Sequence, residues 1–160
     1  MSEYEKLHQL LLTDHEKYLP YKFFSNDCHC ANWIRCGYEI EAGSGNLDFL
    51  FLDRYAIPTL VECKLSKNKQ SKSAIIGQLL EYLAYARYNW SSDYLFLTTL
   101  ENHDFSLIEV KAILDMMNVT ISVDAFFHLA EFNIRNSIAR LVFYIDNAPE
   151  ELLHTVDLLQ

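Results

Sequence analysis

Two carboxylates and an amine stand out as the residues most able to do chemistry: Asp48, then Glu62 and Lys64 around Cys63. Leu47 to Leu52 and Ile57 to Leu65 are apolar runs of strand length, and Asp53, Arg54 and Tyr55 between them read as a hairpin connection. Residues two apart on a strand share a face, so Glu62 and Lys64 stand side by side while Val61 and Cys63 point the other way. Asp48, near the start of the preceding strand, lies across from them. Burying such charges in an apolar sheet costs several kcal/mol unless they pair or bind a cation. Two chemistries follow. Glu62 and Lys64 form a structural ion pair with Asp48 solvated at a strand end, or the two carboxylates hold a divalent ion beside the ammonium.

The wider order of residues is Gly45-Asn46-Leu47-Asp48, a hairpin-length gap, Glu62-Cys63-Lys64, and a helix carrying Gln78-x-x-x-Tyr82. Over roughly the first two thirds of the chain this order resembles the PD-(D/E)xK nuclease superfamily, in particular its RecB-type and related single-strand or repair endonucleases. The resemblance implies that Asp48 and Glu62 hold Mg²⁺ or Mn²⁺ and that Lys64 activates and positions the attacking water. Gln78 and Tyr82 would then support the site or the DNA. Mg²⁺ takes one or two carboxylates and keeps several waters, which suits Asp48, Glu62 and the backbone carbonyl of Cys63. Leu47 stands where the namesake Pro of the superfamily would be, a residue that RecB-type sequences commonly lack. Family members often add a carboxylate from the first helix, and Glu3, one turn before Leu7, is the expected residue, since Glu5 points away.

The elements that must position these residues follow from periodicity and caps. Glu3 to about Tyr18 reads as a helix with Tyr4, Leu7, Leu10, Leu11 and Tyr18 on one face, closed by Pro20. Trp33 to Glu41 reads as an edge strand running into the turn Ala42-Gly43-Ser44-Gly45. A helix from Ala74 to about Trp90 places Gln78, Tyr82 and Tyr85 on one face and Ile75, Leu79, Leu83 and Ala86 on the other. Further along, the expected elements are a strand from Asp93 to Thr99, a helix from Phe105 to Met117, a strand from Val119 to Phe126, and one or two helices from about Asn136 to Leu159. The resulting class is α/β. The order αβββαβ with extra C-terminal helices implies, through the resemblance, a restriction-endonuclease-like core with a mixed central sheet flanked by helices.

With 160 residues, 51% of them hydrophobic, the chain can bury one sizeable core, so residues 1–160 read as a single domain. No apolar run approaches membrane-spanning length, and Met1-Ser2-Glu3-Tyr4-Glu5 lacks the basic and apolar regions of a signal peptide, so a cytoplasmic location is expected. The net charge of −9 opposes nucleic-acid binding in general. Its distribution is uneven, however. Lys64, Lys67, Lys69 and Lys72 fall in one stretch without an acidic residue, directly after the Glu-x-Lys strand, and Lys67, Lys69 and Lys72 are the expected phosphate contacts.

The four cysteines read as thiols, and Cys28-His29-Cys30 with Cys36 lacks the spacing of a zinc finger. The six histidines, His8 among them, lack the i, i+4 spacing of a helical metal site and carry no assigned chemistry. No G-x-S-x-G element supports a serine hydrolase, and Cys63 has no histidine partner legible in the sequence. The expected function is therefore divalent-metal-dependent phosphodiester hydrolysis, with DNA as the expected partner and homodimers common in the resembling superfamily. The alternatives are a catalytically inactive domain of the same fold binding nucleic acid or protein, and an unrelated α/β domain with an ordinary ion-pair cluster.

Overall fold

The computed structural model describes residues 1–19, 32–65, 72–102 and 104–145. Helix α1 (Glu3–Tyr18) starts at a capping box, in which Ser2 accepts from the Glu5 amide while the Glu5 carboxylate takes the Ser2 amide. Strands β1 (Trp33–Glu41), β2 (Asn46–Asp53) and β3 (Pro58–Lys64) form an antiparallel meander. Helices α2 (Lys72–Asn89), α3 (Ser92–Glu101), α4 (Leu107–Met116) and α5 (Val123–Arg135) then lead to strand β4 (Arg140–Ile145), which lies parallel to β3. The sheet order β1-β2-β3-β4 is thus mixed.

Both faces of the sheet are covered, which is why β2 is a continuous apolar run rather than an alternating one: every residue from Leu47 to Asp53 is buried. On one face α1 lays Leu11 against Phe49, Phe51, Val61 and Cys63. Leu11 is fully buried and so contributes about 2 to 3 kcal/mol. On the other face Leu79, Tyr82 and Ala86 of α2 join Leu95 of α3 and Phe126, Phe127 and Ile134 of α5 over Leu50, Leu52 and Leu60. Among the described residues no helix is long and apolar enough to cross a membrane.

The first half of the chain follows the expected elements, and the second half corrects three of them. Residues 93–99 belong to helix α3, not to a strand: Ser91 caps it by accepting from the Tyr94 amide, and the helix packs on α5 and β1. A short apolar run such as Tyr94 to Leu97 fits a buried strand and a buried helix equally well by composition. Residues 119–126 are not a strand either. Ser122 accepts from the Ala125 amide and starts α5, so 119–122 only connect two helices. In place of a helix, residues 140–145 form β4, the strand that completes the sheet beside β3. The expected C-terminal helical region beyond residue 145 lies outside the described residues.

Candidate metal centre

Asp48, Glu62 and Lys64 converge where the β2–β3 register runs out. Paired residues end at Phe49 and Val61. Just beyond, the Cys63 amide donates to Asp48 Oδ2 at 2.6 Å. The carboxylate is thereby fixed at the mouth between the two strands, 5% exposed. Its other oxygen, Oδ1, accepts from the Tyr4 hydroxyl at 2.8 Å.

On the α2 side, Lys64 Nζ lies 2.7 Å from Glu62 Oε1. Glu62 is 3% exposed, and its Oε2 is buried with no hydrogen-bond partner among the described residues. Burial raises the Glu62 pKa above the ordinary carboxylate value; the Lys64 hydrogen bond opposes this, and the negative charge of Asp48 adds to it. Gln78 Nε2 donates to the Tyr82 hydroxyl at 2.6 Å. Burial raises the Tyr82 pKa, and Glu62, Lys64 and Asp48 all act on it electrostatically. Gly45 has a steric reason to be glycine, because a Cβ there would stand 2.8 Å from the Tyr82 oxygen. Gly43 likewise takes φ +86, which only glycine adopts freely, beneath the ring of Tyr85. The turn before Asp48 is therefore shaped to admit the helix that carries Tyr82.

The α1 side holds a residue the sequence reading passed over. Tyr4, His8 and Leu11 recur at helical spacing, so the face that buries Leu11 also turns Tyr4 and His8 toward β2. His8 is 3% exposed, its ring tilted against that of Tyr4 at 4.2 Å between centroids and tied by Nδ1 to the Tyr38 hydroxyl at 3.1 Å. Its Nε2 stands 3.6 Å from Asp48 Oδ1, too far for a hydrogen bond, and has no partner among the described residues. Nitrogen, carboxylate and the Cys63 sulfur offer ligand atoms all within 4.8 Å of one another. Burial pushes the Cys63 thiol up, and the charges of Asp48 and Glu62 push the same way.

Of the expected residues, Asp48, Glu62, Cys63, Lys64, Gln78 and Tyr82 are gathered here. Glu3 is exposed in the first turn of α1, and Tyr4, one residue on, occupies the inward position expected of it. Lys67 and Lys69 lie outside the described residues, as does the side chain of Lys72, whose backbone opens α2. Cys28, His29 and Cys30 also lie outside them, and Cys36 is buried in the core on the α2 side of the sheet. His8 carried a signal that could have found it: a polar, ligand-capable residue on the apolar stripe of α1.

Residues 4–101, more than half of the chain, match the family described as a domain of unknown function, DUF8371. No curated protein and no solved structure matches the chain. The matched span includes every residue gathered around Asp48, from Tyr4 and His8 to Gln78 and Tyr82. The chain belongs to the DUF8371 family, and its candidate site lies wholly within the family's span.

Proposed function

We propose that the chain is a divalent-metal-dependent nuclease domain of PD-(D/E)xK type that hydrolyses phosphodiester bonds, with DNA as the substrate. The observation that carries this reading is the Glu62 carboxylate. It is buried beside Asp48, with one oxygen on Lys64 and the other without a partner. A structural ion pair accounts for the first oxygen and leaves the second unexplained, at a cost of about 1 to 3 kcal/mol or more for a charged group. Two carboxylates with a free oxygen fit a hard cation that takes oxygen donors. Asp48 and Glu62 would hold Mg²⁺ or Mn²⁺, with the Cys63 carbonyl completing the protein's share. The ion would supply charge stabilisation on the phosphoryl oxygens and a more acidic water.

The chain's own residues divide the remaining work. Lys64, 15% exposed at the edge of the site and anchored on Glu62, orients the water against the scissile phosphate. Gln78 and Tyr82 fix the α2 wall through their mutual hydrogen bond. Lys67, Lys69 and Lys72 supply the phosphate contacts that the remaining acidic surface does not. The topology is compatible with this fold, since β4 extends the meander by a parallel strand beside the Glu-x-Lys strand.

The net charge of −9 favours a second reading, a catalytically inactive domain of this fold that binds nucleic acid or a protein. Turnover separates the two. With Mg²⁺ or Mn²⁺ the protein should cleave single-stranded, duplex or branched DNA. Lys64→Ala should lower the rate about 10²- to 10⁴-fold with an unchanged circular dichroism spectrum. Full activity in Lys64→Ala would sink the mechanism, and no cleavage of any of these substrates by the wild type would favour the inactive domain.

A further inference from the structure

The α1 side of Asp48 has a donor set of a different character from the oxygen pair on the α2 side. We infer that His8 Nε2, an Asp48 carboxylate oxygen and the Cys63 thiolate form a site for a thiophilic divalent ion of the zinc class. A ring nitrogen of His8, a carboxylate oxygen of Asp48 and the Cys63 sulfur lie within 4.8 Å of one another. A tetrahedral ion with bonds of 2.0 to 2.3 Å holds its ligands roughly 3.3 to 3.8 Å apart, and His8 Nε2 and Asp48 Oδ1 already stand at 3.6 Å. Closing the set on an ion therefore asks the most widely spaced pair to approach by no more than about 1 to 1.5 Å.

A second observation points the same way. His8 is 3% exposed and presents Nε2, which has no hydrogen-bond partner among the described residues, toward the carboxylate. A buried imidazole nitrogen without a partner is costly, and an ion relieves that cost. The outer contacts are those a ligating histidine requires. Tyr38 holds Nδ1 at 3.1 Å, which leaves Nε2 for the metal, and Tyr4 holds Asp48 at 2.8 Å. Sulfur selects against magnesium, which prefers oxygen donors, and in favour of zinc or cobalt. Binding releases the thiol proton to solvent, because the thiolate is the ligand. Three protein ligands leave one tetrahedral position for water or an exogenous group.

Metal binding by these three residues does not require catalysis, so the test is spectroscopic. Cobalt(II) is titrated into the full chain carrying Cys28→Ser and Cys30→Ser, which removes two thiols outside the described residues. A thiolate-to-cobalt charge-transfer band with tetrahedral visible bands is expected, and it should vanish in Cys63→Ala. His8→Gln should weaken cobalt affinity at least about tenfold, the lower end of what even an outer-shell partner contributes. No charge-transfer band in the Cys28→Ser/Cys30→Ser chain, or a band that survives in folded Cys63→Ala, would overturn the site. Should Cys63→Ala fail to fold, His8→Gln decides: unchanged affinity overturns the site and weakened affinity supports it.

Discussion

Strand β2 carries two buried aspartates, and they are used in opposite ways. Asp53, at its end, is fully buried and fully occupied: Oδ1 accepts from the amides of Tyr55 at 2.8 Å and Ile57 at 3.0 Å. Its Oδ2 meets Arg140 Nη1 of β4 at 2.7 Å. That carboxylate closes the β2–β3 turn and ties it to the parallel strand. Asp48, at the other end of the strand, also accepts two hydrogen bonds, but its neighbours are not satisfied. His8 Nε2 and Glu62 Oε2 flank it without partners among the described residues. Burial of a charge therefore does not by itself mark a site. Unmet atoms able to ligate a cation, here an imidazole nitrogen and a carboxylate oxygen on either side of it, do.

Substitutions at the two ends should separate these roles. The largest stability loss is expected for Asp53→Ala, which strips two turn amides and Arg140 of their acceptor. We expect about 3 kcal/mol and a Tm lower by about 6 to 12 °C, read by thermal denaturation. A loss under about 1 kcal/mol would mean that Asp53 is not the structural member of the pair. Next is Tyr4→Phe, which removes the hydroxyl on Asp48 and leaves the ring on His8. A loss of about 1 to 2 kcal/mol in urea unfolding is expected, and no change would show the bond to be unimportant.

The smallest effect is one of slope. Burial raises the native pKa of Glu62 above its ordinary 4.5, so the native state holds that proton more tightly than the unfolded chain. The resulting stability is complete below about 4.5 and is lost as pH rises through the elevated native value. Glu62→Gln carries no such proton. In metal-free urea melts from pH 4.5 to neutrality, wild-type stability should fall relative to Glu62→Gln. A wild type that gains on the variant over that range would mean that Lys64 outweighs burial.

Much of the oxygen side of the site was legible because it depends on local periods. Alternation along β3 puts Glu62 and Lys64 on one face, and the hairpin length brings Asp48 across. The i, i+4 spacing pairs Gln78 with Tyr82. His8 was not legible by the same means, since its meeting with Asp48 depends on how α1 crosses the sheet. A search for two histidines on one helix cannot see a histidine whose co-ligands sit on strands. The second half of the chain shows the limit of composition. Leu95 to Thr99 and Leu141 to Ile145 are both short apolar runs. Packing on α5 and the cap from Ser91 make the first a helix, while pairing with β3 makes the second a strand. Ser122, four residues before Phe126, was a readable helix start and would have corrected the strand expected there.

The most direct measurement is a set of thermal melts of wild type and Asp48→Asn, each with EDTA and with Mg²⁺. Two carboxylates converging on a cation site repel in the metal-free protein, so Asp48→Asn should then melt at the same temperature as wild type or higher. Mg²⁺ at roughly a hundred times its Kd should stabilise wild type by about 2.7 kcal/mol, and the variant should lose most of that gain. An Asp48→Asn protein that is destabilised without metal, together with a wild type indifferent to Mg²⁺, would contradict the site.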